Sequence, residues 1–560
     1  MLFRSLPNAK QEQILATGFN RNHMINGEGG RIAEENRIEY VFDQTETTGT
    51  VWLGLTLTCC RCHDHKFDPI AKRDYFRLFA FFNQSPVNGG GGSGQTAPVI
   101  DFGTPELEAK RKAAATAYDE LFKIVSAKEA KLREAGMVKN TGGKYETTLP
   151  QLIESALRKG PNDRADQNFD ELVKFYTDKE PVYAKQLPEL RQRKQARDAA
   201  ANAIPKVMVM ADLPKPRDTF QLTRGAYDKP EDKVTAGVPV WLGTPIGKEG
   251  NRLALARWVV SPDNPLTARV TVNRVWQQFF GTGLVKTSND FGVQGERPSH
   301  PELLDWLAIE FVESGWDVKR LVKSLVTSTT YRQSSNATKE QYERDPENRL
   351  LARAPRYRLP SWMIRDQALA VSGLLVDKLG GPPVKPYQPG GVWEEATFGG
   401  KQYTPDAGEG LYRRSVYTFW RRIVGPTMFF DVSPRLVCSV KSGRTNTPLH
   451  ALLTLNDTTF VETGRVSAEK LMVAHAKDAD RIAAAVRAIL GREPKPAEAT
   501  ILLASLERLR GQYKKDPNAA KELLAVGATK TDAKLDPVEL AALASLCNLL
   551  FNLDESLSKE

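Results

Sequence analysis

Three of the chain's five cysteines fall within four residues, in Cys59-Cys60-Arg61-Cys62-His63. Cys59, Cys62 and His63 form the pattern Cys-x-x-Cys-His, the spacing of c-type haem attachment. Two thiols separated by two residues can each form a thioether to one vinyl group of a porphyrin. The adjacent histidine is then held beneath the iron as an axial ligand. The run continues Asp64-His65-Lys66-Phe67-Asp68-Pro69. His65 lies too close to His63 to reach the opposite face of a haem. It is read, with Arg61 and Lys66, as a partner of the propionates. His23 and Met24 are the nearby residues with a side chain able to supply a sixth ligand.

Other chemistries fit the same residues. A Cys-x-x-Cys pair can be redox-active or close a disulfide. It can also be half of a structural zinc site, although no second Cys-x-x-Cys or His-x-x-x-His is present to complete one. A non-haem iron or zinc enzyme, or an accessory protein acting on anionic, sulfated glycans, would draw on His23, Glu34, Glu35, Asp43, His63 and His65. A third reading is a non-catalytic helical scaffold whose Arg269, Arg274 and Arg444 grip acidic sugar or make structural ion pairs. Cys438 and Cys547 stand alone, as small buried residues usually do.

The elements that position these residues belong to a chain of 560 residues, which suggests about three or four domains or subdomains. With 41% hydrophobic and 26% charged residues, the composition is that of a globular protein with a sizeable core. No run approaches the roughly 18–20 apolar residues of a membrane span. The net charge of +10 and the pI near 9.1 permit an acidic partner. Charges of both signs are interleaved, however, so nucleic acid is not expected as a partner. An anionic polysaccharide or a redox partner is.

The fold expected is mainly α, with a small β element near 206–242. Residues 1–95 form a first domain, 96–205 a helical insertion or linker, and 206–560 a larger helical domain. Helices are predicted near Gln11–Ala16, over 30–45 with Ile32, Val41 and Phe42 on the apolar side, and over 74–82. The run 51–58 before the cysteines reads equally as strand or helix, and Gly89–Gly94 reads as a linker. Thr104, Pro105 and Gly136 bracket a long helix. Ser299 and Glu302 have capping-box spacing. Further helices fit 361–379, 448–475, 477–490, 496–512 and 536–552. Thr447 and Pro448 suit an N-cap and a first helical position.

Two stretches carry a family resemblance. Ala16-Thr17-Gly18-Phe19-Asn20-Arg21-Asn22-His23, Glu28-Gly29-Gly30, Glu34-Glu35, Gly54-Leu55-Thr56 and the run Cys59–Pro69 resemble the planctomycete cytochrome-c-like family, a domain of unknown function with a Cys-x-x-Cys-His motif. The segment Asn251–Ala254, the run Pro262–Arg274, Asp290-Phe291-Gly292, Ser299–Trp306 and Arg444–Leu452 with Leu455-Asn456-Asp457 resemble the planctomycete-specific domain that usually follows it. Cys60 stands where the first family more often has a small residue, and His450 where the second has Gln. The resemblance implies a periplasmic or extracellular protein linked to polysaccharide degradation, holding haem c. It also implies that residues 1–85 are the C-terminal part of a longer domain. On that reading Phe19, Trp52, Leu53 and Phe79–Phe82 should lack some of their neighbours, and no signal peptide is expected in this chain.

Overall fold

The computed structural model describes residues 6, 8–27, 29–90, 95–139, 141, 143, 145–242, 250–421, 424–433 and 437–559. Glu28 of the resemblance and most of the expected 89–94 linker lie outside them. Among the described residues 54% are helical and 5% are in strands, and every sheet is a two-stranded antiparallel pair. The protein is mainly α, as its periodicity predicts. No described helix is long and apolar enough to cross a membrane.

The chain divides into two compact units, Gln95–Val209 and Met1–Gly94 with Met210–Glu560. In the first unit, the Pro105–Ala135 helix packs on the Pro181–Asn202 helix, and the Gln151–Lys159 and Asp166–Tyr176 helices complete the bundle. Thr104 caps the long helix as predicted, its Oγ1 accepting from Leu107 N at 3.4 Å. The core is apolar, from Tyr118 and Leu121 to Leu187 and Leu190, around one buried ion pair. Arg164 donates to both carboxylate oxygens of Glu129 at 2.8 and 3.0 Å, and Tyr183 donates to the same group. That bidentate geometry offsets the cost of taking both charges out of water.

In the second unit, the Ala33–Thr48 and Lys72–Asn83 helices share one core with Met210, Leu222, Val234 and Trp258. The expectation of missing neighbours therefore fails for Leu53 and for Phe79–Phe82. Leu53, Phe79, Phe81 and Phe82 are buried, because the Thr219–Leu222 and Pro230–Val234 hairpin and the Arg252–Val259 helix pack against the Lys72–Asn83 helix. Phe19 and Trp52 remain half-buried, packed on each other at 5.7 Å. Ile32, expected on the helix's apolar side, precedes that helix and is exposed, while Val41 and Phe42 are buried.

Among the described residues the later helices build two large cores, beside a small cluster of Leu369, Leu411 and Tyr412. One joins the Thr267–Phe280, Pro301–Glu313 and Val318–Thr327 helices. The predicted Ser299 cap is replaced by His300, because Pro301 takes the first helical position, where its missing N–H costs nothing. The other core surrounds the Pro537–Phe551 helix, which is apolar on almost every side and correspondingly buried. Two predicted helices are shorter than expected. The one starting at Ser361 stops at Ser372, where Gly373 takes a φ of 73°. The stretch 448–475 is two helices, Pro448–Asn456 and Thr458–Ala474, because Asp457 turns its carboxylate onto Thr459 N at 2.9 Å and caps the second.

Candidate functional site

The segment before the cysteines is neither a strand nor a plain helix. The Ala33–Thr48 helix widens into a π turn over Gly49–Leu53, which Gly54 ends with a φ of 61°. A Cβ on Gly54 would fall 2.9 Å from Phe291 and from Val270, so both the conformation and the space require glycine. Arg274, on the Thr267–Phe280 helix, donates to the carbonyls of Thr50, Val51 and Ser288 and so satisfies the end of the turn. Burial lowers its pKa to about 10. A second tie joins Phe291 N to Gly54 O at 2.7 Å.

The Thr58–Arg61 turn then places the cysteines. Cys59, Cys62 and His63 face solvent, and both thiols are free. Cys60 is completely buried, its Sγ 3.7 Å from Ile70 O, and burial pushes its pKa up to about 12. The three residues of the pattern therefore point outward, and the additional cysteine points into the core. The His63 ring is held by its Nδ1, 2.6 Å from Asp64 O.

His65 points the other way. Its side chain is 4% exposed, and its Nδ1 accepts from Asp68 N at 2.9 Å. Its proton therefore sits on Nε2, 3.3 Å from Thr56 Oγ1. Asp68 is buried beside it, and its Oδ1 accepts from Val293 N at 2.6 Å. His65 thus orders the loop from inside. Arg61 lies 4.5 Å over the Phe42 ring and pairs with Glu46 and Glu39. Burial opposes its charge, but the hydrogen bonds to Glu46 outweigh that and raise its pKa. Lys66 is exposed, its ammonium 5.1 Å from the Phe67 ring centre.

His23 is buried against Tyr40, with ring centres 4.5 Å apart, and its Nδ1 is 2.9 Å from Met24 O. Burial lowers its pKa to about 4, despite the carbonyl contact. Glu34 is held by Arg37 at 2.7 Å. Asp43 contacts Thr47 Oγ1 at 3.3 Å, and its pKa rises to about 6 through burial, with Glu46 adding to the shift. Among the described residues no three His, Cys, Asp or Glu side chains are grouped to hold a metal ion. Arg269 pairs with Asp305, and His450 stacks on Phe430 at 3.9 Å.

Sequence reasoning did not single out Asp68, Gly54, Gly292 and Arg274 as the pieces that set this loop. A Cβ on Gly292 would lie 2.3 Å from Asp68 Oδ2, so a glycine in one motif accommodates a carboxylate in the other. The available signal was the glycine at the edge of each motif, Gly54-Leu55-Thr56 and Asp290-Phe291-Gly292.

These contacts join the two stretches that carry the family resemblances. Two family models match the chain. One, PSCyt2, is described as a protein of unknown function (DUF1549) and covers residues 3–86. The other, PSD1, is described as a protein of unknown function (DUF1553) and covers residues 251–506. Both are planctomycete-type domains, and neither description assigns a cofactor or an activity. No curated protein and no solved structure matches the chain.

Proposed function

We propose that this protein is an extracytoplasmic redox or electron-transfer protein that carries a covalently attached c-type haem on Cys59 and Cys62. The observation that supports this reading is the sorting of side chains in one loop. Cys59, Cys62 and His63 are solvent-facing and make no ion pair among the described residues, whereas Cys60 and His65 are taken up by the interior. Each exposed thiol would add its S–H across one vinyl group, and His63 would present a ring nitrogen to the iron. When bound, the haem supplies one-electron chemistry. The chain's own residues hold the turn rigid through Arg274, Gly54, His65 and Asp68. This reading needs only one protein nitrogen and two thiols, since the porphyrin brings its own four nitrogens. A non-haem metal needs a larger protein donor set, and among the described residues no three His, Cys, Asp or Glu side chains are grouped to supply one. Thioether attachment takes place outside the cytoplasm, which sets the proposed compartment and agrees with a link to polysaccharide breakdown.

The test is to isolate the protein from its native host, denature it, and assay covalent haem by the pyridine haemochrome spectrum. Cys59→Ser with Cys62→Ser should remove it, and Cys60→Ser should retain it. Haem-free protein from that host would overturn the proposal.

A further inference from the structure

A cleft of about 330 Å³ opens beside the end of the Thr267–Phe280 helix, lined by no residue of the cysteine loop. Four of its lining residues are aromatic: Trp276 and Phe280, which stack at 3.9 Å, and Tyr342 and Tyr357. The Tyr357–Arg358 strand is fixed by pairing with Ser558–Lys559, and Tyr357 donates its hydroxyl to Gln278 O.

The charge of this cleft is one-sided. Lys286, Arg349, Arg353, Arg356 and Arg444 line it, against the single carboxylate of Glu347. Lys286 takes Glu347 at 2.8 Å, and Arg356 pairs with Asp554. Arg349, Arg353 and Arg444 make no ion pair among the described residues. Backbone carbonyls hold them instead. Arg349 donates to Gly283 O and Leu284 O at 2.8 and 2.9 Å. Arg353 donates to Asp345 O and Pro346 O at 2.8 and 3.1 Å. Arg444 donates to Gly281 O at 3.0 Å. A carbonyl orients a guanidinium but does not cancel its charge. The buried carboxylate of Asp345 is directed at Arg349 N and Leu350 N.

Arg353 is the most telling of the three. It is 7% exposed, lies 4.6 Å over the Tyr342 ring, and its Nη1 is buried without an acceptor among the described residues. Arg444 sits likewise over Tyr357, at 4.4 Å. Withdrawing positive charge from water without a counter-charge is costly, and a ligand that supplies the negative charge recovers that cost. Guanidinium forks match oxyanions in shape as well as in charge. The cleft is several times larger than one tetrahedral anion, which leaves room beside Tyr342 and Tyr357 for a ring-sized body attached to that anion.

We propose that this cleft binds a sulfate or phosphate oxyanion carried as a monoester on a ring-sized body, with Arg353, Arg349 and Arg444 as its cationic partners. The site is independent of haem attachment.

The test is calorimetric titration of the full chain with glucose 6-sulfate, glucose 6-phosphate, inorganic sulfate and glucose. One or both esters should bind more tightly than inorganic sulfate, the preferred ester identifying the anion, and glucose should not bind. Loss of one charge-assisted hydrogen bond should weaken the ester about tenfold or more in Arg444→Gln and in Arg353→Met. Arg444→Gln is the safer variant, since Arg444 holds only one carbonyl, and an unchanged melting temperature confirms its fold. Cys59→Ser with Cys62→Ser should bind as the parent does. The proposal is overturned if neither ester binds, if glucose binds equally well, or if a folded Arg444→Gln protein binds with unchanged affinity.

Discussion

Gly292→Ala tests the contact by which one family's motif sets the other's loop. The new Cβ would stand 2.3 and 2.5 Å from the two carboxylate oxygens of Asp68 and 2.7 Å from its Cγ. Asp68 cannot swing away freely, because its side chain is 3% exposed and its Oδ1 holds Val293 N at 2.6 Å. Overpacking of this kind costs about 1–3 kcal/mol. Asp68→Ala alone removes a charge-assisted hydrogen bond and should cost about 2 kcal/mol. It also deletes all three atoms that the new Cβ would meet, so the double variant should be no less stable than Asp68→Ala. The coupling between the two sites is therefore about 2 kcal/mol, opposite in sign to the single effects.

Cys60 provides a local readout, since it is buried in the core beside this loop. In the haem-free chain, the third alkyl group added to the Cys59–Cys62 peptide marks opening of that core. A 2 kcal/mol loss should speed the third addition about 30-fold in either single variant, with no further gain in the double. If Gly292→Ala leaves the rate unchanged, or if the two effects multiply, the interlock does not set the loop.

In the native haem-free chain, Cys59 and Cys62 should alkylate promptly at pH 8, while Cys60 and Cys547 stay protected until urea unfolds them, as counted by peptide mass spectrometry. His23 is held near a pKa of 4 in the folded state against 6.5 unfolded, so the unfolded chain binds the extra proton in between. Stability should fall by about 3 kcal/mol as pH drops from 6.5 to 4, and urea melts of His23→Gln should lack that component. Asp43 has the opposite sign. Its folded pKa of about 6 lies above the unfolded 3.8, so stability should fall as pH rises from 4 to 6, and Asp43→Asn should remove that part of the slope. Thr447→Ala should change stability by less than about 0.5 kcal/mol, because Thr447 precedes its helix without a side-chain cap bond. Asp536→Ala should cost about 1 kcal/mol, because its carboxylate caps both Val538 N and Glu539 N at 2.9 Å, and thermal melts of this variant and of Thr447→Ala against the parent check both.

Local pattern carries far in this chain. The helical class, the long helix started by Thr104 and Pro105, and the late apolar helix near 536–552 all follow from periodicity and terminal residues. These depend only on neighbours three or four positions away. The Cys-x-x-Cys-His spacing is legible for the same reason. A turn of four residues decides which side chains share a face, and the structure adds that Cys59, Cys62 and His63 share the outer one.

What was not legible depends on partners far along the chain. Nothing local reveals that Arg274 holds the turn of Thr50 and Val51, or that Gly292 leaves room for Asp68. Each pair is separated by more than 220 residues. The division of one motif into outward Cys59, Cys62 and His63 and inward Cys60 and His65 is set by the core that forms beneath them. That core is completed by the 219–234 hairpin and the Arg252–Val259 helix. The cationic cleft has the same origin. Arg349, Arg353 and Arg356 stand at spacings common on any solvated surface, and only the fold brings Arg444 and Tyr357 to them while leaving Arg349, Arg353 and Arg444 without an ion pair among the described residues. Residue types and short spacings determined which groups were available for chemistry. Burial, which depends on the whole chain's packing, decided which of them face outward.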